Sequence, residues 1–92
     1  MRVIYKYNLN TVCTVIEDCV KKFLKVDWQD GNGPVIWVEV DPEGEKCKYY
    51  ILTYGTGWHI EEEETKQYLG TVIEKTPEQY VWHYYLAGVD NN

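Results

Sequence analysis

The amino-acid sequence predicts a small all-β domain, an antiparallel meander that forms a compact sandwich or open barrel with little helix. The chain has 92 residues, and a chain of this length has too little interior for two independent cores. Its hydrophobic fraction of 45% and aromatic fraction of 15% are enough to build one core. Turn-forming residues recur at short intervals between β-rich runs, without a linker or an internal repeat. We therefore treat residues 1–92 as one domain.

The first two strands are predicted at Val3–Leu9 and Thr11–Ile16. The second run has β-branched residues at five of its six positions, which favours strand over helix. Glu17–Lys21 is expected to be a connecting loop, with a single helical turn as the alternative.

The clearest local pattern is a hairpin. Lys22–Gln29 alternates apolar with polar side chains, as expected of a strand with one buried face. The apolar positions of this run are Leu24, Val26 and Trp28. Asp30–Gly33 turns the chain, and Pro34–Asp41 continues as a strand. The expected buried face of the second strand is formed by Ile36, Val38 and Val40, which leaves Trp37 on the polar face.

The remaining elements follow from turn residues and β-rich runs. Pro42–Glu45 predicts a turn. Three further strands are expected at Cys47–Tyr54, Tyr68–Lys75 and Gln79–Leu86, the last two flanking a turn at Thr76–Pro77. The tail is expected to fray from about residue 88. The edges of such a small sheet need protection, which a symmetric dimer would supply.

Charge and hydropathy argue against two classes of partner. Nine basic and fifteen acidic residues give a net charge of −6 and a pI of about 4.8, whereas duplex nucleic acid requires clustered Lys and Arg. The apolar runs are too short to cross a bilayer, and Met1–Lys6 lacks the apolar core of a signal peptide. We therefore expect no duplex nucleic acid or membrane partner, and a cytoplasmic location.

The residues that usually carry catalysis or bind metals are sparse. The three cysteines are an odd number without a CxxC pair, which suits a reducing compartment and argues against zinc. His59 and His83 lie in no recognisable nucleophile motif. Glu61–Glu64 lacks the spacing of an EF-hand loop, and Gly55–Gly57 is too short for a phosphate-binding P-loop. We therefore expect no catalytic residue, no metal and no cofactor, and a protein that is not an enzyme.

The aromatic residues are the most informative feature for function. The chain has four Trp and nine Tyr but a single Phe, so most of its aromatic rings carry a polar group. Such rings suit surfaces that are partly exposed to solvent. Trp28 is expected in the core, whereas Trp37 and Trp58 are candidates for a binding surface. The last strand carries aromatic side chains on both faces, Tyr80–Tyr85. Such rings serve equally to stack a nucleobase or to anchor a protein interface, and the residue chemistry leaves both possibilities open.

Five short motifs are distributed over nearly the whole chain. They are Ile4–Tyr7, Trp37 with Val40–Pro42, Gly55–Gly57, Tyr68–Thr71 and Val81–His83. In this order and spacing they resemble a family of small bacteriophage proteins of unassigned domain type. In that family a His directly follows the Gly-Thr-Gly, whereas here Trp58 precedes His59.

The resemblance implies a phage accessory protein that acts in the cytoplasm of the infected bacterial host. The chain is also similar to phage anti-CBASS sponge proteins, which sequester cyclic oligonucleotide immune signals without cleaving them. A homodimer would match the near-twofold symmetry of a cyclic dinucleotide. Under this hypothesis Lys6 and Thr56 contact phosphate, and Trp37 and Trp58 stack on bases. The complete set of candidate ligand-binding residues is Lys6, Tyr7, Trp37, Thr56, Trp58, His59 and Tyr85.

Two other functions fit the same residues. One is an antagonist that binds a host defence or regulatory protein through an aromatic patch, and the other is a structural component of the virion. The expected partner is thus a small cyclic di- or trinucleotide or, alternatively, a host protein.

Overall fold

The protein is an all-β sandwich, as its sequence predicts. A computed structural model describes residues 1–9 and 11–91. These residues form seven strands and one short 3-10 helix at Glu62–Glu64. The strands are β1 (Val3–Asn8), β2 (Cys13–Asp18), β3 (Val20–Gln29), β4 (Gly33–Val40), β5 (Cys47–Gly55), β6 (Gln67–Ile73) and β7 (Val81–Asn91). No helix in the described part of the chain is long and apolar enough to cross a membrane.

The strands are divided between two antiparallel sheets, one ordered β1-β4-β3 and the other β2-β5-β7-β6. The β3–β4 and β6–β7 pairs are hairpins of consecutive strands, as in a meander, whereas β1–β4, β2–β5 and β5–β7 join strands that are separated in sequence. The chain passes from one sheet to the other between β1 and β2, between β2 and β3, and between β4 and β5. Strands that switch sheets in this way form the corners of a sandwich.

The loop or helical turn predicted at Glu17–Lys21 is wrong. β2 continues to Asp18 and β3 begins at Val20, so Cys19 alone separates them. The carbonyl oxygen of Cys19 accepts a hydrogen bond from the backbone N–H of Asp41 at 2.9 Å, which holds the backbone extended through the crossing. The Cys19 carbonyl oxygen is therefore hydrogen-bonded although no loop separates the two strands.

The β3–β4 hairpin is confirmed, but one of its residues faces the other way. The side chains of Ile36, Val38 and Val40 are completely buried, as predicted. Leu24, predicted to be buried, is 40% exposed. The reason is a register shift between Phe23 and Lys25, which turns Phe23 toward the core in place of Leu24. Beyond the shift the predicted alternation resumes: the side chain of Val26 is buried, and Trp28 is half-buried against the core.

The core is formed by side chains from both sheets. Its buried members are Leu9, Ile16, Val26, Ile36, Val38, Val40, Ile51, Val72 and Tyr84. The two sheets approach most closely where β6 lies against β3. There Gly70 has a φ of +149° at a register shift in β6, and a Cβ atom at this position would collide with the side chain of Val26. Both the backbone conformation and the close contact therefore require glycine.

The last strand is longer than the sequence predicts. β7 runs to Asn91 instead of ending at Leu86, and its residues from 88 onward pair with β5. Asn91 lies opposite Cys47, whose Sγ lies 2.8 Å from the Asn91 side-chain oxygen. The paired strand occupies positions 88–91 of the tail that was expected to fray; Asn92 lies outside the described residues.

Candidate functional site

A pocket with a volume of about 350 Å³ opens between the two sheets at one end of the sandwich. Trp28 and Pro34 of the β3–β4 hairpin contribute one side of its wall, and Trp82 and Tyr84 of β7 contribute the other. The complete lining is Leu9, Thr11, Val12, Trp28, Gly33, Pro34, Thr53, Trp58, Glu74, Trp82 and Tyr84. Its size lies near the lower end of the range typical of small-molecule sites.

Aromatic rings make up much of this wall. The rings of Trp58 and Trp82 meet edge to face, with centroids 5.6 Å apart and an interplanar angle of 79°. Trp58 is held there by a tight turn, in which its backbone N–H donates to the Gly55 carbonyl oxygen at 3.1 Å. Its indole lies across Gly55 so closely that a Cβ at that position would come within 2.7 Å of the ring. Glycine at position 55 therefore allows Trp58 to fold back over the pocket.

Glu74 places a carboxylate in this mainly apolar wall. Its backbone N–H donates to the Tyr80 carbonyl oxygen at 2.8 Å, next to the β6–β7 hairpin. Its Oε2 accepts a hydrogen bond of 2.5 Å from the indole N–H of Trp82, and its Oε1 accepts one of 3.0 Å from the hydroxyl of Thr76. These two bonds fix the orientation of the carboxylate.

Tyr84 contributes the most deeply buried polar group of the pocket. Its side chain is completely buried, and no buried side-chain nitrogen or oxygen of the described residues lacks a hydrogen-bond partner. Burial raises the pKa of the Tyr84 phenol, and the nearby Glu74 carboxylate raises it further. The hydroxyl therefore remains neutral over the physiological pH range and can donate or accept a hydrogen bond.

The candidate residues Lys6 and Trp37 lie together, but away from the pocket. They are cross-strand partners on the outer face of the three-stranded sheet, where Lys25 lies opposite Trp37 on its other side. The Lys6 ammonium donates to the Gln29 side-chain oxygen at 2.6 Å. Tyr7 faces the other side of β1, where its hydroxyl bonds to the Asp18 carboxylate. Burial and the Asp18 carboxylate together raise the pKa of Tyr7.

Two other candidates, Thr56 and Tyr85, lie on the outer face of the four-stranded sheet. The hydroxyl of Thr56 lies 2.9 Å from Nε2 of His83, and the other ring nitrogen of His83 lies 2.9 Å from the Thr71 hydroxyl. Tyr85 packs between two tyrosine rings, with centroid distances of 5.9 Å to Tyr54 and 5.4 Å to Tyr68. Thr56 also lines a second cleft of about 440 Å³, together with Trp58 and Trp82, so the structure brings the candidates Thr56 and Trp58 together beside the pocket between the sheets.

Of the seven candidates, only Trp58 lines the pocket between the sheets. His59, the next residue, is exposed and pairs with the Glu61 carboxylate at 3.2 Å. Sequence reasoning missed Glu74, Trp82 and Tyr84 as site residues. The aromatic alternation of the last strand pointed to Trp82 and Tyr84, but no pattern marked Glu74.

The described residues contain no group of three or more His, Cys, Asp or Glu side chains arranged to hold a metal ion. The three cysteines are free thiols. The polar groups that the pocket itself offers are the Glu74 carboxylate, hydroxyls and indole N–H groups. Such an arrangement can bind a planar ligand by stacking and hydrogen bonding.

The fold and the pocket define a small all-β sandwich with an aromatic cleft. The chain belongs to a family described as a domain of unknown function (DUF7352), whose family model matches residues 1–92. Neither a curated protein nor a solved structure matches the chain significantly.

Proposed function

We propose that this protein is a non-catalytic binding protein that sequesters a small nucleotide by holding its base in the pocket between the sheets. The observation that carries the proposal is the convergence of Trp28, Trp58, Trp82 and Tyr84 on one opening of about 350 Å³. Stacking of a base on an aromatic side chain contributes about 1–3 kcal/mol and requires no net positive charge. An acidic protein can therefore bind a nucleotide through its base.

The dimensions and charge of the pocket favour partial insertion of the ligand. The volume suits one nucleobase with part of its sugar, and Trp58 is half exposed at 52%, so one wall borders solvent. None of the described lining residues is basic, and Glu74 would repel a phosphate. The phosphate is therefore expected to remain in solvent outside the pocket.

The ligand that agrees best with the sequence is a cyclic oligonucleotide immune signal. The support is the resemblance to phage anti-defence sponge proteins, together with a pocket sized for a single base. A cyclic dinucleotide would then place its bases in the pockets of two protomers related by a twofold axis, which favours a homodimer. In this proposal the protein acts in the cytoplasm of an infected bacterium.

Calorimetric titration of the purified protein with mononucleotides and with cyclic di- and trinucleotides tests the proposal. Trp58→Ala is expected to weaken binding by about fivefold to a hundredfold, from loss of one stacking surface. Trp37→Ala is the matched control, because it removes the same ring from the outer face of the other sheet. The bound nucleotide should be recovered intact after denaturation.

Two results would contradict this proposal. One is the absence of both heat and thermal shift with every nucleotide. The other is loss of binding in Trp37→Ala with full binding in Trp58→Ala, which would move the site to the Lys6–Trp37 surface.

A second candidate function is supported by the outer face of the four-stranded sheet. Val15, Tyr68 and Ile73 are exposed there at 45%, 55% and 60%. The ring of Tyr68 packs against Tyr85, which in turn packs against Tyr54. Exposed apolar side chains with tyrosines are typical of protein interfaces. A protein antagonist that used this face would lose its activity in Ile73→Lys and keep it in Trp58→Ala, whereas a nucleotide sponge would show the reverse.

A further inference from the structure

The position of Glu74 limits which base the pocket can accept. An ionised carboxylate only accepts hydrogen bonds. Each Glu74 oxygen accepts one bond from the protein, at 2.5 Å from Trp82 and at 3.0 Å from Thr76. A carboxylate oxygen can accept two, so each retains one lone pair for a ligand. Because both protein bonds hold the group in place, it cannot easily turn away from a ligand that fails to donate.

The four common bases differ in what they offer to such an acceptor. Guanine presents two adjacent donors, N1–H and the N2 amino group, which match the two oxygens of a carboxylate. Adenine and cytosine each place an acceptor nitrogen beside their amino group, and uracil flanks its single N–H with two carbonyl oxygens. Paired hydrogen bonds to a charged acceptor are about twice as strong as neutral ones. A carboxylate in the wall therefore favours guanine and disfavours the other three.

The Tyr84 phenol lies deeper in the same wall, since its side chain is completely buried. None of the buried side-chain nitrogen and oxygen atoms in the described part of the chain lacks a hydrogen-bond partner. Base selectivity is therefore assigned to Glu74, the charged side chain of the described lining.

Resting on the nucleotide-binding function proposed above, we infer that the pocket is selective for guanine, and that Glu74 recognises the N1–H and N2 amino edge of the base. The ligand class is accordingly a guanine-containing nucleotide, free or within a cyclic oligonucleotide. Trp82 acts as a positioning residue, since its indole N–H holds the carboxylate while its ring contributes to the wall.

The test compares GMP, AMP, CMP and UMP by calorimetric titration of the full chain. Binding of GMP is expected to be at least about tenfold tighter than that of AMP, from two charge-assisted hydrogen bonds. Cyclic di-GMP against cyclic di-AMP gives the same comparison for cyclic ligands. This measurement requires no variant, so it does not depend on whether a substitution folds.

Glu74→Gln then tests the role of the carboxylate. The amide keeps an oxygen for the Trp82 indole but presents one donor and one acceptor, the pattern that complements adenine. GMP affinity is expected to fall about tenfold or more, while AMP affinity stays the same or rises. A merely structural role for Glu74 would weaken both ligands together. Glu63→Gln, in the exposed 3-10 helix, is the matched control and should change neither affinity.

The outcomes distinguish failure of guanine selectivity from failure of nucleotide binding itself. Equal binding of the four mononucleotides, or a preference for AMP, would overturn guanine selectivity and leave nucleotide binding intact. Binding of none of them, together with Glu74-dependent binding of tetramethylammonium, would overturn both and make the pocket an aromatic cage for an organic cation.

Discussion

Replacing Gly70 by Ala should destabilise the protein strongly, because backbone strain and a steric clash both arise from the added methyl group. The backbone φ of +149° is one that residues with a Cβ rarely adopt, and the added methyl collides with the buried side chain of Val26. Strained φ values cost about 1–3 kcal/mol, and overpacking costs about 1–3 kcal/mol. The free energy of unfolding should therefore fall by about 2–6 kcal/mol.

That loss is large for a domain of this size. A chain of 92 residues is expected to have a free energy of unfolding of about 5–14 kcal/mol. Since 1 kcal/mol corresponds to about 4–8 °C in a domain of this length, the Tm should fall by at least about 8 °C. Urea unfolding monitored by tryptophan fluorescence measures the change directly.

Two further variants identify the cause. Gly88→Ala is the matched control, since Gly88 also lies in a strand but has no atom within 4 Å of an added Cβ; its stability should change little. Val26→Ala alone should cost about 1.5–3 kcal/mol, but combined with Gly70→Ala it should recover the steric part of the loss. The predicted clash between a Cβ at position 70 and Val26 is wrong if Gly70→Ala is no less stable than Gly88→Ala. It is also wrong if the effects of Gly70→Ala and Val26→Ala on the free energy of unfolding are simply additive in the double variant.

Three other predictions follow from the described contacts. Phe23→Ala should lower the free energy of unfolding in urea by about 2–4 kcal/mol, because the register shift turns this ring toward the core. Leu24→Ala should lower it by less than about 1 kcal/mol. A larger loss in Leu24→Ala than in Phe23→Ala would refute the register shift. The free energy of unfolding should decrease above a pH of about 10. There the Tyr84 phenol loses its proton in the unfolded chain, whereas in the folded protein it keeps the proton because burial raises its pKa. The slope is about 1.4 kcal/mol per pH unit for each such tyrosine, and an equally steep decrease in Tyr84→Phe would contradict this origin. Tyr7→Phe removes the hydrogen bond to Asp18 and should lower the free energy of unfolding by about 1–2 kcal/mol without changing nucleotide affinity in calorimetry.

Local patterns predicted the fold wherever a strand has a regular period. The alternation in Pro34–Asp41 identified its buried face, since that strand pairs on both sides without a bulge of its own. The same reasoning failed at Leu24, because a register shift changes which side chains face inward without altering the apolar pattern. It failed again at Cys19, where an extended crossing between sheets resembles a loop in sequence.

The pocket could not be predicted from sequence because it depends on strand order. Trp28, Trp58 and Trp82 are separated widely along the chain, and they meet because β7 pairs with both β5 and β6 while β3 covers them from the other sheet. Glu74 follows the end of a strand, and a single acidic residue at such a position is ordinary. The aromatic composition indicated a binding protein, whereas the location of the pocket required the tertiary structure.

The alternation of the first strands between the two sheets also determines how the chain must fold. β1, β3 and β4 form one sheet while β2 lies in the other, so neither sheet is a contiguous segment of the chain. A single cut between β4 and β5 would leave all three strands of one sheet in the N-terminal fragment, but it would separate β2 from the other strands of its own sheet. Because most pairings join residues far apart in sequence, loop closure must precede the gain from burial, and folding should be slow and all-or-none. Fragments of this protein should therefore remain unfolded separately and recover structure only when mixed.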